Sequence, residues 1–91
     1  MQKQNVKDYF EQIVRESSIS CAIMESIDPN ADLVEDLGFD SLATIKLISD
    51  IESRFDIEFE VDELVYDVIG RYGTLLENIL KKLEKKGKID E

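Results

Sequence analysis

The chain has 91 residues, of which 43% are hydrophobic, and its 21 acidic and 11 basic residues give a formal net charge of −10. This length supports one domain with a modest core and leaves little room for a deep catalytic cleft, while the apolar content argues against disorder. The excess of carboxylates would repel a phosphate backbone, so we expect no nucleic-acid partner.

Residues that carry common catalytic or metal chemistry are scarce. Cys21 is the sole cysteine and histidine is absent, which excludes an intramolecular disulfide, Ser-His-Asp or Cys-His catalysis and the commonest zinc sites. No apolar run approaches the length of a signal peptide or a transmembrane helix. We therefore expect a cytoplasmic protein with no membrane role.

The first segment carries apolar residues at helical spacing. It predicts a helix from about Val6 to Ser17, with Asn5 as its N-cap. The stretch 18–27 predicts one or two further helical turns, in which Cys21 is a small packing residue. A long acidic loop then runs to Asp40. Its apolar residues should pin it to the core: Leu33, Val34, Leu37 and Phe39.

Alternating polar residues at the start of this loop suggest a calcium-binding loop. Asp28, Asn30 and Asp32 have the spacing of an EF-hand, but Leu33 stands at the sixth position and Phe39 at the twelfth. An EF-hand needs glycine and glutamate there, so we predict no metal site.

The loop meets a helix at Ser41. Asp40 can cap that helix and Gly38 permits a sharp turn before it, so Ser41 should project from a helix N-terminus. Backbone N–H groups and the helix dipole favour an anion at this point, and a phosphoester suits it well. Because the chain has no histidine to act as a base, we expect Ser41 to be the substrate of another enzyme and not a nucleophile that acts on its own.

The run Asp32-Leu33-Val34-Glu35-Asp36-Leu37-Gly38-Phe39-Asp40-Ser41-Leu42 resembles the prosthetic-group site of acyl and peptidyl carrier proteins. Gly-x-Asp-Ser-Leu is its most specific part, and the order of elements from Ile27 through Phe55 and in Tyr72-Gly73-Thr74-Leu75 is also similar. The resemblance implies that Ser41, flanked by Asp40 and Leu42, is esterified by 4'-phosphopantetheine, whose thiol holds acyl or aminoacyl groups as thioesters. It also implies the partners, which are a phosphopantetheinyl transferase and the enzymes that load, condense and release the cargo.

A broad apolar face predicts a second long helix from about Ser41 to Phe55. In carriers of fatty acid synthesis the corresponding helix is strongly acidic and basic partner surfaces recognise it, whereas Ala43 and Lys46 replace two of those acids here. This departure favours a polyketide or nonribosomal-peptide pathway over housekeeping fatty acid synthesis, although surface charges also vary without consequence. The expected partner-recognition residues are Ala43, Lys46, Asp50 and Glu52.

The segment after this helix predicts an extended connector and then a short helix. The short helix should run from Val61 to Val68, with a cap near Glu60 or Asp62, and should offer Val61, Leu64, Val65 and Val68 to the core. In the family this element borders the cargo pocket. Four residues could shelter an apolar cargo, although ordinary core packing explains them equally well: Ile45, Ile48, Val61 and Leu64.

The C-terminal segment predicts a third long helix that begins with a capping box at Thr74-Leu75-Leu76-Glu77 and stops at Gly87. The lysines between positions 81 and 88 are interpreted as a solvated helix end that complements the dipole.

The sequence therefore predicts an all-α protein, a small antiparallel bundle of three longer helices and one short helix. Residues 1–91 should form a single carrier domain with its core at about 5–84 and a basic end at 81–91, acting as a monomer and not as an enzyme. Two alternatives stay open. One is a housekeeping acyl carrier protein, and the other is a helical interaction module in which Asp40-Ser41-Leu42 is only a capped helix start.

Overall fold

A computed structural model describes residues 2–89, apart from the side chains at positions 19 and 20. The described part contains six helical segments: α1 (Lys3–Ser17), α2 (Ile19–Ala22), α3 (Ser41–Phe55), a 3₁₀ turn (Val61–Glu63), α4 (Tyr66–Ile69) and α5 (Tyr72–Lys85). Within 2–89 there is no strand, and an isolated bridge pairs Asp32 with Arg71. The predicted all-α bundle with three long helices is confirmed.

The core lies around α1, which contacts α2, α3 and α5. Its apolar stripe is fully buried: Val6, Phe10, Ile13 and Val14. The Phe10 ring packs against the Tyr72 ring with centroids 4.8 Å apart. Burying each such side chain stabilises the fold by roughly 1.5–3 kcal/mol. Cys21 is also buried, which confirms it as a packing residue, and this burial raises the pKa of its thiol.

The start of α1 differs from the prediction. The helix begins at Lys3 with Gln2 as its N-cap, so the prediction that Asn5 caps it is wrong. Lys3 and Gln4 are better helix formers than Asn5, and Gln4 donates a hydrogen bond to the Asp8 carboxylate at 3.0 Å. The helix therefore extends through Asn5.

The acidic loop folds around its own carboxylates. Asp32 accepts hydrogen bonds from the backbone N–H groups of Val34 and Glu35 at 2.9 and 3.0 Å. Leu33, Leu37 and Phe39 are buried as predicted, whereas the prediction for Val34 is wrong because its side chain is 56% exposed. The Asp36 carboxylate accepts a hydrogen bond from the Asp32 N–H at 2.8 Å. Both carboxylates thus shape the turn, while the apolar residues fix it to the core.

The predicted single helix from Val61 to Val68 is wrong, because two separate turns occupy this region. Leu64 and Val65 leave the helical conformation between the 3₁₀ turn and α4. The predicted cap at Glu60 is confirmed, since Glu60 and Glu63 form a capping box. The predicted contribution to the core fails for Val61, which is 87% exposed, and for Leu64 and Val65, which are nearly half exposed.

The last helix begins two residues before the predicted capping box. Arg71 precedes its first turn, and Thr74 lies inside that turn and donates to the Arg71 carbonyl at 3.1 Å. The capping-box prediction is therefore wrong. The Gly73 N–H donates to the Pro29 carbonyl at 2.7 Å, and a Cβ at Gly73 would lie 2.7 Å from that oxygen. A close backbone approach sets this helix start.

The end of α5 confirms Gly87 as the stop, since it has φ 69° and its N–H bonds to the Glu84 carbonyl. The prediction of a solvated lysine end is wrong for Lys82 and Lys88, which are partly buried, whereas Lys86 stays exposed. The Lys82 ammonium lies 2.6 Å from the Glu63 carboxylate, and Lys86 and Lys88 bond to Asp56. The basic end therefore ties α5 to the connector and to the 3₁₀ turn.

Candidate functional site

Ser41 is the first residue of α3, as predicted. Asp40 is the N-cap, its side chain accepts a hydrogen bond from the Ala43 N–H at 2.8 Å, and its carbonyl accepts one from the Thr44 N–H at 2.9 Å. Gly38 has φ 77°, so the glycine supplies the left-handed conformation that turns the loop into the helix. The sequence prediction of this local structure is confirmed.

The environment of Ser41 suits an esterified phosphate. Its side chain is exposed, and so is that of Leu42 at 79%. No described residue accepts a hydrogen bond from the backbone N–H of Ser41 or Leu42. These two donors and the positive end of the α3 dipole would favour a negative charge at the hydroxyl.

Ser41 lies on the face of α3 that borders an apolar cleft. Each residue advances about 100° around an α-helix, so Ser41, Ile45 and Ile48 point to the same side. The cleft has a volume of about 320 Å³ between α3 and the region 64–69. Its lining comprises Thr44, Ile45, Ile48, Ser49, Glu52, Leu64 and Ile69.

Three of the four predicted cargo-pocket residues lie in this lining. Ile48 is buried, Ile45 and Leu64 are 67% and 46% exposed, and the remaining residue, Val61, is outside the lining. Sequence reasoning missed Ile69. The predicted helix ended at Val68, and the true α4 ends one residue later because Gly70 follows.

The predicted partner-recognition residues fall on two different faces of α3. Ala43, Lys46 and Asp50 line a concavity of about 260 Å³ against α1. Glu52 borders the apolar cleft instead, and its carboxylate accepts a hydrogen bond from the Phe59 N–H at 2.9 Å. The first three residues form one strip in which Lys46 is exposed and Ala43 and Asp50 are partly buried, while Glu52 holds the connector.

A hydrogen bond joins the loop before Ser41 to α4. The Tyr66 hydroxyl donates to the Asp32 carboxylate at 2.5 Å, and this bond lowers the pKa of Asp32 and raises the pKa of Tyr66. The Leu33 N–H also donates to the Gly70 carbonyl at 2.9 Å. The Ser41 loop is thereby connected to one border of the cleft, and no sequence motif signals this connection.

A second polar cluster lies at the 3₁₀ turn, just before the region 64–69 that borders the cleft. The Glu63 carboxylate accepts hydrogen bonds from Lys82 at 2.6 Å, Asn78 at 3.2 Å and the Glu60 N–H at 2.7 Å. The Lys82 hydrogen bond is the largest cause that lowers the pKa of Glu63 to about 2. Among residues 2–89, no group of three or more histidine, cysteine or acidic side chains could hold a metal ion.

A family model described as the phosphopantetheine attachment site matches residues 19–76. The chain belongs to this family of carrier proteins. Its prosthetic group is 4'-phosphopantetheine, and the matched region contains the loop, α3 and the apolar cleft.

Two relatives of this carrier domain show partial matches. It is 48% identical over 40 residues to an acyl carrier protein of Desulforapulum autotrophicum. This match covers 44% of this chain and 52% of that protein. It is 51% identical over 39 residues to the non-reducing polyketide synthase pkdA of Emericella nidulans. This match covers 43% of this chain and 2% of that protein. The match thus spans about half the length of the first relative and a small part of the second.

Members of this family work with synthases and transferases and are carriers, not catalysts. Within the described range 2–89, no helix of the carrier domain is both long enough and apolar enough to cross a membrane.

Proposed function

We propose that the chain carries acyl or aminoacyl groups as thioesters on a 4'-phosphopantetheine arm attached to Ser41. The observation that supports this proposal best is the exposed Ser41 hydroxyl at the first position of α3, inside the matched residues 19–76. Ser41 has the position that a modifying enzyme needs, because its side chain is accessible and its backbone is fixed by the Asp40 cap.

The residues around Ser41 have separate roles in this proposal. Asp40 fixes the first turn of α3, and the backbone N–H groups of Ser41 and Leu42 face the added phosphate charge. The bound group supplies a thiol with an ordinary pKa of ~8.5, so the partner enzymes must activate this thiol. The carrier itself determines only where the arm is attached.

The apolar cleft is proposed to shelter an apolar cargo. Ile45, Ile48 and Leu64 supply the predicted part of its wall and Ile69 adds to it. The cleft opens on the face of α3 that carries Ser41, so an arm attached there can return its cargo to this surface. Val61 is not needed in this role because its side chain is 87% exposed.

We propose a polyketide or nonribosomal-peptide pathway as the setting. The exposed Lys46 beside Ala43 makes this strip of α3 less acidic than in fatty acid carriers, and one relative is a polyketide synthase. Housekeeping fatty acid synthesis remains the alternative, since the other relative is an acyl carrier protein. The family match weighs against the interpretation of Asp40-Ser41-Leu42 as a mere helix cap.

A two-step loading experiment tests the carrier role and the pathway separately. The protein is first incubated with coenzyme A, Mg²⁺ and a permissive phosphopantetheinyl transferase, and intact mass should show one added phosphopantetheine. The product is then offered to an adenylating enzyme and to a malonyl transferase of fatty acid synthesis. Preferential charging by the adenylating enzyme supports the specialised pathway, whereas efficient malonyl transfer would favour the housekeeping alternative.

A further inference from the structure

The segment 60–66, which borders the apolar cleft, is held by few apolar contacts. Val61 is 87% exposed, Leu64 and Val65 are nearly half exposed, and Tyr66 is 54% exposed. Neither the 3₁₀ turn nor α4 contains a buried residue. Because burial contributes little here, polar contacts must determine where this segment lies.

The strongest of these contacts joins Glu63 to α5. The Lys82 ammonium lies 2.6 Å from the Glu63 carboxylate, and the two side chains are only 17% and 23% exposed. Asn78, also on α5, donates to the other oxygen of the same carboxylate at 3.2 Å. A charge-assisted pair that is shielded from water is stronger than an exposed surface pair.

Two further contacts restrict the geometry of this pair. The Lys82 ammonium lies 5.2 Å from the centroid of the Phe59 ring, and Phe59 is 9% exposed. The Glu60 N–H donates to Glu63 Oε1, the same oxygen that Lys82 contacts. The pair therefore has a fixed position between the connector, the 3₁₀ turn and α5.

Glu63 directly precedes Leu64, which lines the cleft. The Leu64 N–H also donates to the Val61 carbonyl at 3.2 Å, so Leu64 belongs to the same hydrogen-bonded turn as Glu63. We propose that Glu63 and Lys82 are positioning residues that fasten this turn to α5 and thereby hold Leu64 as the wall opposite α3. The cargo role of that wall rests on the proposed function, whereas its position does not.

The pair consequently limits the size of the apolar group that the cleft accepts. The cleft volume of about 320 Å³ lies near the lower end of the range of ligand pockets, which is roughly 300–1,000 Å³. With the pair intact, the cleft fits a short apolar group. Once the pair is broken, the hydrogen bond from Tyr66 to Asp32 still holds the end of the segment 60–66, but the 3₁₀ turn that precedes Leu64 has no buried residue to keep it in place, and the cleft widens.

Hydrogen exchange in the protein with unmodified Ser41 tests the fastening directly. Lys82→Met removes the charge and keeps an apolar stem near Phe59, and Glu63→Gln keeps the shape of the side chain. The amides of Glu63 and Leu64, which are hydrogen-bonded within the 3₁₀ turn, should exchange about tenfold faster in both variants, while core amides of α3 change little. Lys81→Met and Glu58→Gln, at exposed positions, are the matched controls and should leave both amides unchanged. The proposal would be overturned if exchange is unchanged in Lys82→Met and Glu63→Gln. It would also be overturned if exchange in α1, α3 and α5 accelerates as much as it does in the 3₁₀ turn.

Binding of Nile red, an uncharged apolar dye, tests the effect on the cleft. Lys82→Met and Glu63→Gln should bind the dye several-fold more tightly than the parent protein does. Leu64→Ala, which removes the wall and keeps the pair, should give a similar gain. If Leu64→Ala raises the affinity for Nile red but Lys82→Met and Glu63→Gln do not, the proposal is wrong. Both measurements use unmodified protein, so a failure of Ser41 modification would not be confused with a failure of this inference.

Discussion

The Asp40 carboxylate accepts a hydrogen bond from the Ala43 N–H at 2.8 Å, which fixes the first turn of α3 around Ser41. The Asp40 carbonyl accepts the next N–H, that of Thr44, at 2.9 Å. Asp40 thus satisfies the donors that lie deeper in the helix and leaves those of Ser41 and Leu42 facing outward. One residue both orders the helix start and keeps its anion-favouring end open.

The Asp40 cap should contribute measurably to stability. We expect Asp40→Ala to lower the free energy of unfolding by about 1 kcal/mol, because it removes the cap, and Asp40→Asn to lower it much less. Urea denaturation of both variants provides the measurement. Equal losses in the two variants would show that the side-chain hydrogen bond is not the source of the effect.

The Glu63–Lys82 pair should make stability depend on pH in the acid range. The pKa of Glu63 is lowered from its ordinary value of 4.5 to about 2, so its contribution is full above pH 4.5 and is lost as the pH falls towards 2. At neutral pH, Glu63→Gln should cost on the order of 1–2 kcal/mol after allowance for solvent screening. The difference between parent and variant, measured by urea unfolding at pH 7 and pH 3, should shrink at the lower pH. If the difference in free energy of unfolding is the same at pH 7 and pH 3, the lowered pKa of Glu63 is not its source.

The parts of the structure that sequence predicted well are those fixed by local chemistry. The Asp40 cap, the span of α3 and the stop at Gly87 follow from residues within a few positions of one another. The site around Ser41 was therefore predictable, and so were two of the cleft residues on α3, Ile45 and Ile48.

The parts that sequence missed depend on contacts between distant segments. Val61 and Val65 have helical spacing, yet the polar contacts of Glu63 with α5 and of Tyr66 with Asp32 split the predicted helix into two turns. The start of α5 is set by the approach of Gly73 to Pro29 across more than forty residues of chain. Local patterns contain no information about such contacts.

Screening of the negative charge should stabilise the fold. The formal net charge of −10 implies repulsion among carboxylates, so the melting temperature should rise with NaCl. MgCl₂ at matched ionic strength should act similarly, because the described residues 2–89 offer no cluster suited to a metal. A melting temperature that stays flat or falls with salt would contradict this prediction. A sharp transition at one equivalent of Mg²⁺ would instead reveal a specific site.

The strip of α3 formed by Ala43, Lys46 and Asp50 should influence which enzymes accept the modified protein. We expect malonyl transfer by a fatty acid synthesis enzyme to be slow and to improve when Ala43→Asp and Lys46→Glu are combined, because added acids favour association with a basic surface. The measurement is the initial rate at low salt, where screening is weakest. Lys46→Glu is also measured alone, and Lys85→Glu, at an exposed position on α5, is its charge-matched control and should have little effect. An equal gain from the control would show that net charge, and not this strip, governs the rate.

Modification of Ser41 is the central claim, and mass spectrometry after treatment with coenzyme A, Mg²⁺ and a phosphopantetheinyl transferase tests it most directly. Ser41 is exposed and no described residue bonds to its side chain, so Ser41→Ala should change the free energy of unfolding by about 0.5 kcal/mol or less. The parent protein and the controls Ser49→Ala and Ser53→Ala, whose serines are exposed on the same helix, should each gain one phosphopantetheine, and Ser41→Ala should gain none. A folded Ser41→Ala protein that is still modified, or a parent protein modified at another residue, would contradict the assignment.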